Sequence, residues 1–160
     1  MKVVVEQNQC RGCRVCELAC SYYSFGEFNP KRSRIKVVKL EHAGEDIPVV
    51  CVQCGKCIGQ CPLDALKMNE NGWIVVDEGK CIGCGQCVEF CPLGAITLDP
   101  KTAFASVCDV CAGDPKCVRY CPAGALTIDT RVKPNLIAQR TRARYARRSL
   151  GRETEAAAEA

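Results

Sequence analysis

Aromatic residues are scarce in this chain of 160 residues, which contains one Trp, four Tyr and four Phe, together with one His. A core built on large aromatic side chains would therefore be thin, and something else must hold the chain together. Long apolar runs are also missing, since the longest, such as Val3 to Val5 and Ile74 to Val76, have about three or four residues. Because a membrane-spanning helix needs about 20 apolar residues, we expect no membrane span.

The first residues, Met1 to Glu6, contain neither the apolar stretch of a secretory signal nor a twin-arginine pair. A sequence of this kind predicts a protein that stays in the cytoplasm. That compartment is reducing, so abundant cysteines there indicate metal binding rather than disulfides.

Cysteine is what the chain has in abundance, with 16 residues arranged in four blocks of four. The first three blocks share the spacing C-x2-C-x2-C-x3-C, and the fourth block widens its second gap to five residues. No cysteine is left over, so the sequence predicts four all-cysteine sites with the stoichiometry of four [4Fe–4S] clusters. The blocks are Cys10, Cys13, Cys16 and Cys20; Cys51, Cys54, Cys57 and Cys61; Cys81, Cys84, Cys87 and Cys91; and Cys108, Cys111, Cys117 and Cys121.

The repeat continues beyond the thiols. Cys61-Pro62-Leu63-Asp64-Ala65-Leu66 recurs as Cys91-Pro92-Leu93-Gly94-Ala95-Ile96 and as Cys121-Pro122-Ala123-Gly124-Ala125-Leu126. An internal repeat predicts a fold made by duplicating one small unit. The proline stops the single helical turn expected before it, such as Gln86 to Phe90, whereas the first block has Ser21 at this position.

The spacing suits iron and sulfur because two residues between cysteines let the chain loop around a cuboidal cluster. Glycines in these loops, namely Gly12, Gly55, Gly83 and Gly85, permit unusual backbone geometry and leave amide N–H groups free to approach cluster sulfurs. A structural zinc site is an alternative, but its cysteines usually come as two separated pairs. A disulfide scaffold is a second alternative, which the missing secretory signal disfavours.

Hairpin patterns lie between the blocks. Ala65 to Met68 and Trp73 to Asp77 predict two strands around an Asn-Gly turn, so the second and third blocks look like one compact two-cluster unit. In paired-cluster ferredoxins the fourth cysteine of one motif binds the cluster of its partner motif, so we expect crossed pairs. Trp73 is predicted to pack over the hairpin, and His42 to be solvated surface.

The first and fourth blocks are then the second pair. Arg34 to Leu40 alternates as a strand would, within the long segment that follows the first block. Val3 to Glu6 and Ala125 to Asp129 could pair and bring the ends of that unit together.

Residues 1 to about 130 resemble the four-cluster iron–sulfur subunits that serve molybdenum and tungsten oxidoreductases and some hydrogenases. Cys16-Glu17-Leu18-Ala19-Cys20-Ser21 and the segment 29–35 resemble that family's first motif and the stretch after it. The segment 108–118 resembles its widened fourth motif. All 16 cysteines are present, so the resemblance implies four cubane clusters.

The resemblance also implies that the first block pairs with the fourth and the second with the third. Each ligand set then takes three cysteines from one block and one from its partner, and we name the sets sites one to four. Site one is Cys10, Cys13, Cys16 and Cys121; site two is Cys108, Cys111, Cys117 and Cys20; site three is Cys51, Cys54, Cys57 and Cys91; site four is Cys81, Cys84, Cys87 and Cys61.

The expected fold class is α+β, with tandem ferredoxin-like units that each hold two [4Fe–4S] clusters. Short β-hairpins and one-turn helices build the units, and a helical tail follows them. The outer unit is predicted at 1–50 and 101–130, the inserted inner unit at 51–100, and the tail at 131–160.

Small size and the absence of a membrane anchor make the chain most similar to the small subunit of bacterial tungsten-dependent aldehyde oxidoreductases. That resemblance implies aldehyde oxidation in anaerobic metabolism, a large catalytic subunit with a tungsten or molybdenum pterin, and a flavin subunit that handles NAD. The chain itself has no spare cysteine and no Gly-rich phosphate loop before a helix, so we expect a non-catalytic electron-transfer subunit. Glu17 and Glu89 beside the blocks are interpreted as surface charges or as neighbours that tune a cluster potential.

Other functions stay open at this point. The chain could serve a formate dehydrogenase or a hydrogenase, or it could be a free polyferredoxin that shuttles electrons between several enzymes. A zinc-stabilised interaction module is a further alternative. The long segment 21–50 and the tail exceed what a minimal ferredoxin needs, which favours a fixed subunit.

The tail differs in charge from the rest of the chain. Residues 131–160 contain eight Lys or Arg and three Glu, a net charge of +5, whereas residues 1–130 carry −1. A helix is predicted at about 135–150, between Asn135 as N-cap and Gly151 as C-cap. We interpret the tail as a docking arm for an acidic partner or a neighbouring copy, with a solvated extension as the alternative. Basic runs do bind phosphates, but no base-reading groups accompany this one, so nucleic acid is not the expected partner.

Overall fold

The structure is a computed structural model that describes residues 1–129. The predicted tail, with its helix and its docking role, lies outside the described residues. Residues 1–129 form eight short strands and three α-helices, joined by loops and 3-10 turns. The elements are β1 (Lys2–Val5), α1 (Val15–Phe25), β2 (Lys36–Leu40), β3 (Glu45–Val49), β4 (Leu66–Met68), β5 (Ile74–Val76), α2 (Gln86–Glu89), β6 (Thr97–Leu98), β7 (Ala105–Ser106), α3 (Lys116–Arg119) and β8 (Leu126–Asp129).

The strands of the described residues make four separate antiparallel ribbons of two strands each. β1 pairs with β8, with Lys2 opposite Asp129, so the predicted pairing of these two segments is confirmed. β2 pairs with β3, β4 with β5, and β6 with β7. The α+β class, with short hairpins and few helices, is confirmed.

The β4–β5 hairpin is confirmed at the predicted place, and Asn69 shapes its turn. The Asn69 side-chain oxygen accepts hydrogen bonds from the backbone N–H groups of Asn71 at 3.1 Å and Trp73 at 2.9 Å. Gly72 takes a left-handed φ of 74°, which a glycine adopts at no steric cost. This local bonding explains why the turn could be predicted from sequence.

The helix of the first block, α1, is much longer than the one-turn helices expected. α2 and α3 have four residues each, and each is followed three residues later by a proline, whereas α1 has 11 residues. Ser21 stands where the other blocks have that proline, so its backbone N–H and its ring-free side chain let the helix continue. α1 ends at Gly26, whose φ is 71° and whose N–H donates to the carbonyl oxygen of Tyr22 at 2.7 Å.

The repeated Cys-Pro-x-x-Ala segments have a shared structural role. Ala65, Ala95 and Ala125 are each at most 7% exposed and lead into β4, β6 and β8. In the first two of these segments the alanine N–H donates to the cysteine sulfur four residues earlier, at 3.3 Å. The small side chain therefore brings the backbone close to the thiol at the point where the strand begins.

The core is small and contains many of the cysteines. Its least exposed apolar members include Val3, Ile35, Ile74, Ile96 and Val110. Trp73 is 8% exposed and belongs to this core, which confirms its packing role. His42 is exposed in a 3-10 turn, as predicted for a surface residue.

The predicted domain division stays a prediction. The β6–β7 ribbon joins Thr97 to Ser106 across the boundary expected at residue 100. In the part of the chain that the structure describes, no helix is both long and apolar enough to cross a membrane.

Candidate metal centre

All 16 cysteines lie in the described residues and are free thiols. Their exposure is uneven, because Cys13 and Cys84 are exposed whereas seven thiols are buried and the rest are half-buried. The buried thiols are Cys16, Cys20, Cys51, Cys57, Cys87, Cys108 and Cys117.

Burial makes these thiols weak acids. It raises the pKa of Cys16 and Cys108 to about 12 and that of Cys57 to about 11, and it also raises the pKa of Cys51 and Cys117. Since the thiolate is the reactive form, these residues are poorly suited to nucleophilic or disulfide chemistry. A metal centre would offset the cost of ionisation, and its binding would release the protons.

Sites one and two join the first block to the fourth. Besides burial and Asp46, the charges of Cys13 and Cys121 raise the pKa of Cys10, so Cys121 lies with the first block. Besides burial, the charges of Cys108, Cys20 and Cys111 raise the pKa of Cys117, so Cys20 lies with the fourth block. The structure therefore brings together thiols that are about 100 residues apart in the chain.

Sites three and four join the second block to the third. Besides burial, Cys54 and Cys91 raise the pKa of Cys57. In the same way Cys81, Cys84 and Cys61 raise the pKa of Cys87, after burial. The thiols predicted for each of these two sites therefore lie near one another, including the one from the other block.

Three pairs of thiols connect neighbouring sites. The charge of Cys16 in site one acts on Cys117 in site two. Cys108 in site two acts on Cys51 in site three, and Cys87 in site four acts on Cys57 in site three. The four groups of thiols therefore follow one another in the order one, two, three, four.

Backbone N–H groups point at sulfurs of all four sites, and in site one those of Gly12 and Glu17 lower the pKa of Cys10 and Cys16 against the effect of burial. Such N–H donors stabilise negative charge on sulfur and are a known influence on cluster potential. The donors in the other sites are Arg34 to Cys20 at 3.3 Å, Gln53 to Cys51 at 3.4 Å, Ala65 to Cys61 at 3.3 Å, Ala95 to Cys91 at 3.3 Å and Ala105 to Cys81 at 3.4 Å.

Two of the predicted loop glycines are required by close contacts. A Cβ on Gly83 would lie 2.5 Å from the carbonyl oxygen of Ala103, and its φ is 68°. A Cβ on Gly12, whose φ is 63°, would collide with the Asp46 carboxylate. Glycine at these positions lets other segments approach the cysteine loops.

The fourth block turns without glycine at most of its left-handed positions. Val110, Cys111 and Ala112 have φ values of 57°, 49° and 52°. Asp109 supports this segment, because its carboxylate accepts the Cys111 N–H at 3.0 Å and pairs with Arg34 at 2.8 Å.

Sequence analysis missed Gln53, which is fully buried beside Cys54. Its side-chain amide donates to the carbonyl oxygen of Cys108 at 2.6 Å, and its side-chain oxygen accepts the N–H of Ile74 at 2.8 Å. Gln53 therefore ties the second block to both β5 and the fourth block. No local signal could reveal it, because its partners are 21 and 55 residues away.

Glu17 requires a correction. It is fully buried, so the interpretation as a surface charge is wrong for this residue, whereas Glu89 is exposed. Its carboxylate accepts the N–H of Val37 at 2.6 Å and pairs with Arg14 at 2.9 Å. The other interpretation, a neighbour that tunes a cluster, remains a prediction.

The fit of these groups to a cluster can be judged from the donors. Each predicted ligand set consists of four thiols and no harder ligand, which is the ligand set of a [4Fe–4S] cluster. Among residues 1–129, no three His, Cys, Asp or Glu side chains come close enough to hold one metal ion. A cuboidal cluster instead binds its four thiolates at separate corners, so spaced thiols with N–H donors around them fit it.

Family models match all four cysteine blocks. A 4Fe–4S dicluster domain matches residues 47–98, a second 4Fe–4S dicluster domain matches 80–125, and a 4Fe–4S binding domain matches 7–23. The chain therefore contains ferredoxin-like 4Fe–4S domains. The matches follow neighbouring blocks along the chain, so they do not test the pairing of the first block with the fourth.

Curated relatives are similar over about half of the chain. The polyferredoxin-like subunit of an aliphatic sulfonate oxidoreductase from Pyrococcus furiosus is 40% identical over 49% of this chain and 46% of that protein. A subunit of the anaerobic dimethyl sulfoxide reductase from Escherichia coli is 32% identical over 46% of this chain and 43% of its own length. The matches thus span less than half the length of either relative.

Among solved structures, the active site complex BamBC of benzoyl coenzyme A reductase with benzoyl-CoA contains a similar chain. The TM-score is 0.46 at 24% identity, over 88% of both chains.

Proposed function

We propose that the chain is the iron–sulfur electron-transfer subunit of an oxidoreductase complex and holds four [4Fe–4S] clusters at sites one to four. The observation that supports the proposal is the nearness of thiols from different blocks, those of the first block to the fourth and those of the second to the third. When bound, such clusters supply one-electron transfer.

The residues of the chain hold the clusters and shape their surroundings. The sixteen cysteines hold the iron as thiolates, and the backbone N–H groups at their sulfurs stabilise the negative charge. Most thiols of sites two and three are buried away from water, which strengthens electrostatic interactions near them. The chain positions its sites and catalyses no reaction of its own.

The order of the sites supports transfer from one end to the other. The two exposed thiols, Cys13 and Cys84, belong to sites one and four, which are the ends of the row. Sites two and three, in the middle, have no exposed thiol. Partners could therefore reach the two ends and exchange electrons there.

A catalytic subunit with a tungsten or molybdenum pterin is the proposed partner at one end, and a flavin subunit that handles NAD at the other. Both named relatives are subunits of oxidoreductases, which supports a partner of this general kind. The tungsten metal and the aldehyde substrate rest on the resemblance of the cysteine motifs. A formate dehydrogenase or hydrogenase is the alternative complex.

A free polyferredoxin is the second candidate function. The word polyferredoxin-like in the name of the Pyrococcus furiosus subunit is the reason to retain this candidate. Such a protein would purify alone and would exchange electrons with several enzymes by collision.

The test is elemental analysis of the tagged chain, purified without oxygen from its own host together with its partners. The expected result is about 16 iron per chain, with tungsten in a co-purified large subunit. Molybdenum or nickel in place of tungsten would indicate a formate-type or hydrogenase complex and not an aldehyde-oxidising one. Iron with no partner would indicate the free polyferredoxin, and zinc without iron would overturn the proposed function.

A further inference from the structure

Glu17 is a buried carboxylate at the edge of site one. It follows Cys16, has no exposed surface, and uses both oxygens, one for the N–H of Val37 and one for Arg14. The Arg14 side chain is 50% exposed, so water screens its charge, whereas Glu17 is buried inside the fold. Arg14 lines the same pocket as the four thiols of site one, so both charges of the pair lie near that site, and the carboxylate is the buried, less screened one.

The internal repeat shows that this carboxylate is peculiar to the first block. The residue after the third cysteine is Ile58 in the second block, Val88 in the third and Val118 in the fourth. Those three side chains pack against the core. An aliphatic residue thus satisfies the fold at this position, and burying a carboxylate instead carries a desolvation cost.

The charge of Glu17 acts on the adjacent ligand. After burial, it is the largest cause that raises the pKa of Cys16, which reaches about 12. A second carboxylate, that of Asp46, acts on Cys10 in the same direction and lies against Gly12 in the same loop. Two carboxylates at site one therefore oppose added negative charge, whereas the backbone N–H groups of Gly12 and Glu17 at the same sulfurs favour it.

Site two has a positively charged residue, Arg34, beside it. Arg34 donates its N–H to Cys20, and its guanidinium charge lowers the pKa of Cys111, against burial and Asp109, which raise it. The Arg34 guanidinium is paired with Asp109 at 2.8 Å, so its effect is partly offset.

We propose that Glu17 is a positioning residue that lowers the reduction potential of the cluster at site one. The inference rests on the proposed function and deepens it. Reduction adds one negative charge to a cluster, and a buried carboxylate beside a ligand opposes that addition because little water screens it. Site one then passes electrons toward site two more readily than it receives them.

The experiment replaces Glu17 by Gln in the complex as purified and follows an EPR-monitored redox titration without oxygen. Glu17→Gln keeps the size of the side chain and its oxygen acceptor for the Val37 N–H. One midpoint potential is expected to rise while the others and the iron content stay constant. Unchanged potentials with full iron would overturn the inference and leave the proposed function intact.

Two further variants separate charge from structure. Glu89→Gln removes an exposed carboxylate two residues after Cys87 and is expected to move no potential, since water screens it. Arg14→Gln removes the cation that faces Glu17 and is expected to lower the same potential that Glu17→Gln raises. If Glu17→Gln loses iron, the shift in Arg14→Gln decides the question, and a shift upward there would overturn the inference.

Discussion

The third and fourth blocks both carry four cysteines, but they turn their chains in different ways. The third block places Gly83 and Gly85 at its left-handed positions, with φ values of 68° and 80°. The fourth block places Val110, Cys111 and Ala112 in that region, where a side chain costs about 1–2 kcal/mol per residue. The glycines of the third block therefore adopt this conformation at no steric cost, whereas the fourth block needs support from other segments.

That support comes from distant parts of the chain. Gln53 holds the carbonyl oxygen of Cys108, Arg34 pairs with Asp109, and the Trp73 ring lies against Gly113. Each of these residues belongs to a segment that precedes the third block. The shape of the fourth block thus depends on contacts with segments that precede the third block.

The largest effect is expected for Gly83→Ala, which disrupts the cysteine loop of the third block. The new Cβ would need both a left-handed backbone and space that the Ala103 carbonyl occupies at 2.5 Å. We expect loss of the cluster at site four, about four of 16 iron atoms, measured as iron per chain and by EPR. Gly59→Ala, at an open position, is the control and should keep its iron. Full iron in Gly83→Ala would contradict the prediction.

Gln53→Leu should lower the stability of the protein by removing a contact that supports the fourth block. It leaves the carbonyl of Cys108 and the N–H of Ile74 buried without their partners, at a cost of about 2–4 kcal/mol. The measurement is anaerobic thermal unfolding followed by cluster absorbance. Gln86→Leu, at an exposed position, is the matched control. Equal midpoints for the two variants would show that the bridge carries no stability.

Asp99→Asn tests whether the segment after the third block, which begins at the end of β6, also depends on a distant contact. Arg32 binds the Asp99 carboxylate with two nitrogens, at 3.0 and 2.5 Å, and thereby holds its pKa below the ordinary value. Loss of this charged pair should cost about 1–3 kcal/mol at pH 7.

The pH dependence of that cost follows from its sign. A depressed folded pKa gives stability that is present above the unfolded value, about 3.9, and is lost as the pH falls through the folded value. The difference in unfolding midpoint between the protein and Asp99→Asn should therefore be the same at pH 7 and pH 5. A difference that already shrinks between these two values would refute the assignment.

The smallest effect concerns Asp64, which occupies the position of Gly94 and Gly124 in the repeat. All three are left-handed, with φ values of 50°, 61° and 62°. Asp64→Gly should stabilise the protein by about 0.5–1 kcal/mol, and Gly94→Ala, in open space, should destabilise it by a similar amount. Thermal unfolding of both variants measures this, and effects of the same sign would contradict it.

The sequence predicted what local patterns encode. The cysteine blocks, the β4–β5 hairpin and the helical turn at Gln86 all have signals in neighbouring residues. The pairing of β1 with β8 was predicted although the two strands lie at opposite ends of the described residues. The eleven-residue α1 was also within reach, because Ser21 lacks the ring that ends the other helices.

What the sequence could not predict depends on partners far along the chain. The buried state of Glu17 is set by Val37 on β2, and β3 was not foreseen because Pro48 interrupts its strand pattern. The β6–β7 ribbon has only two residues in each strand, too few for any periodicity to show.

The exposure of Cys13 and Cys84 has a consequence for the life of the protein in air. Oxidants reach thiol ligands from solvent, so in the proposed arrangement damage would begin at sites one and four and spare the middle. A protein that has lost either end can still keep most of its iron and its colour. It would nevertheless pass no electrons between its partners, because the lost cluster is the one at which a partner must exchange electrons.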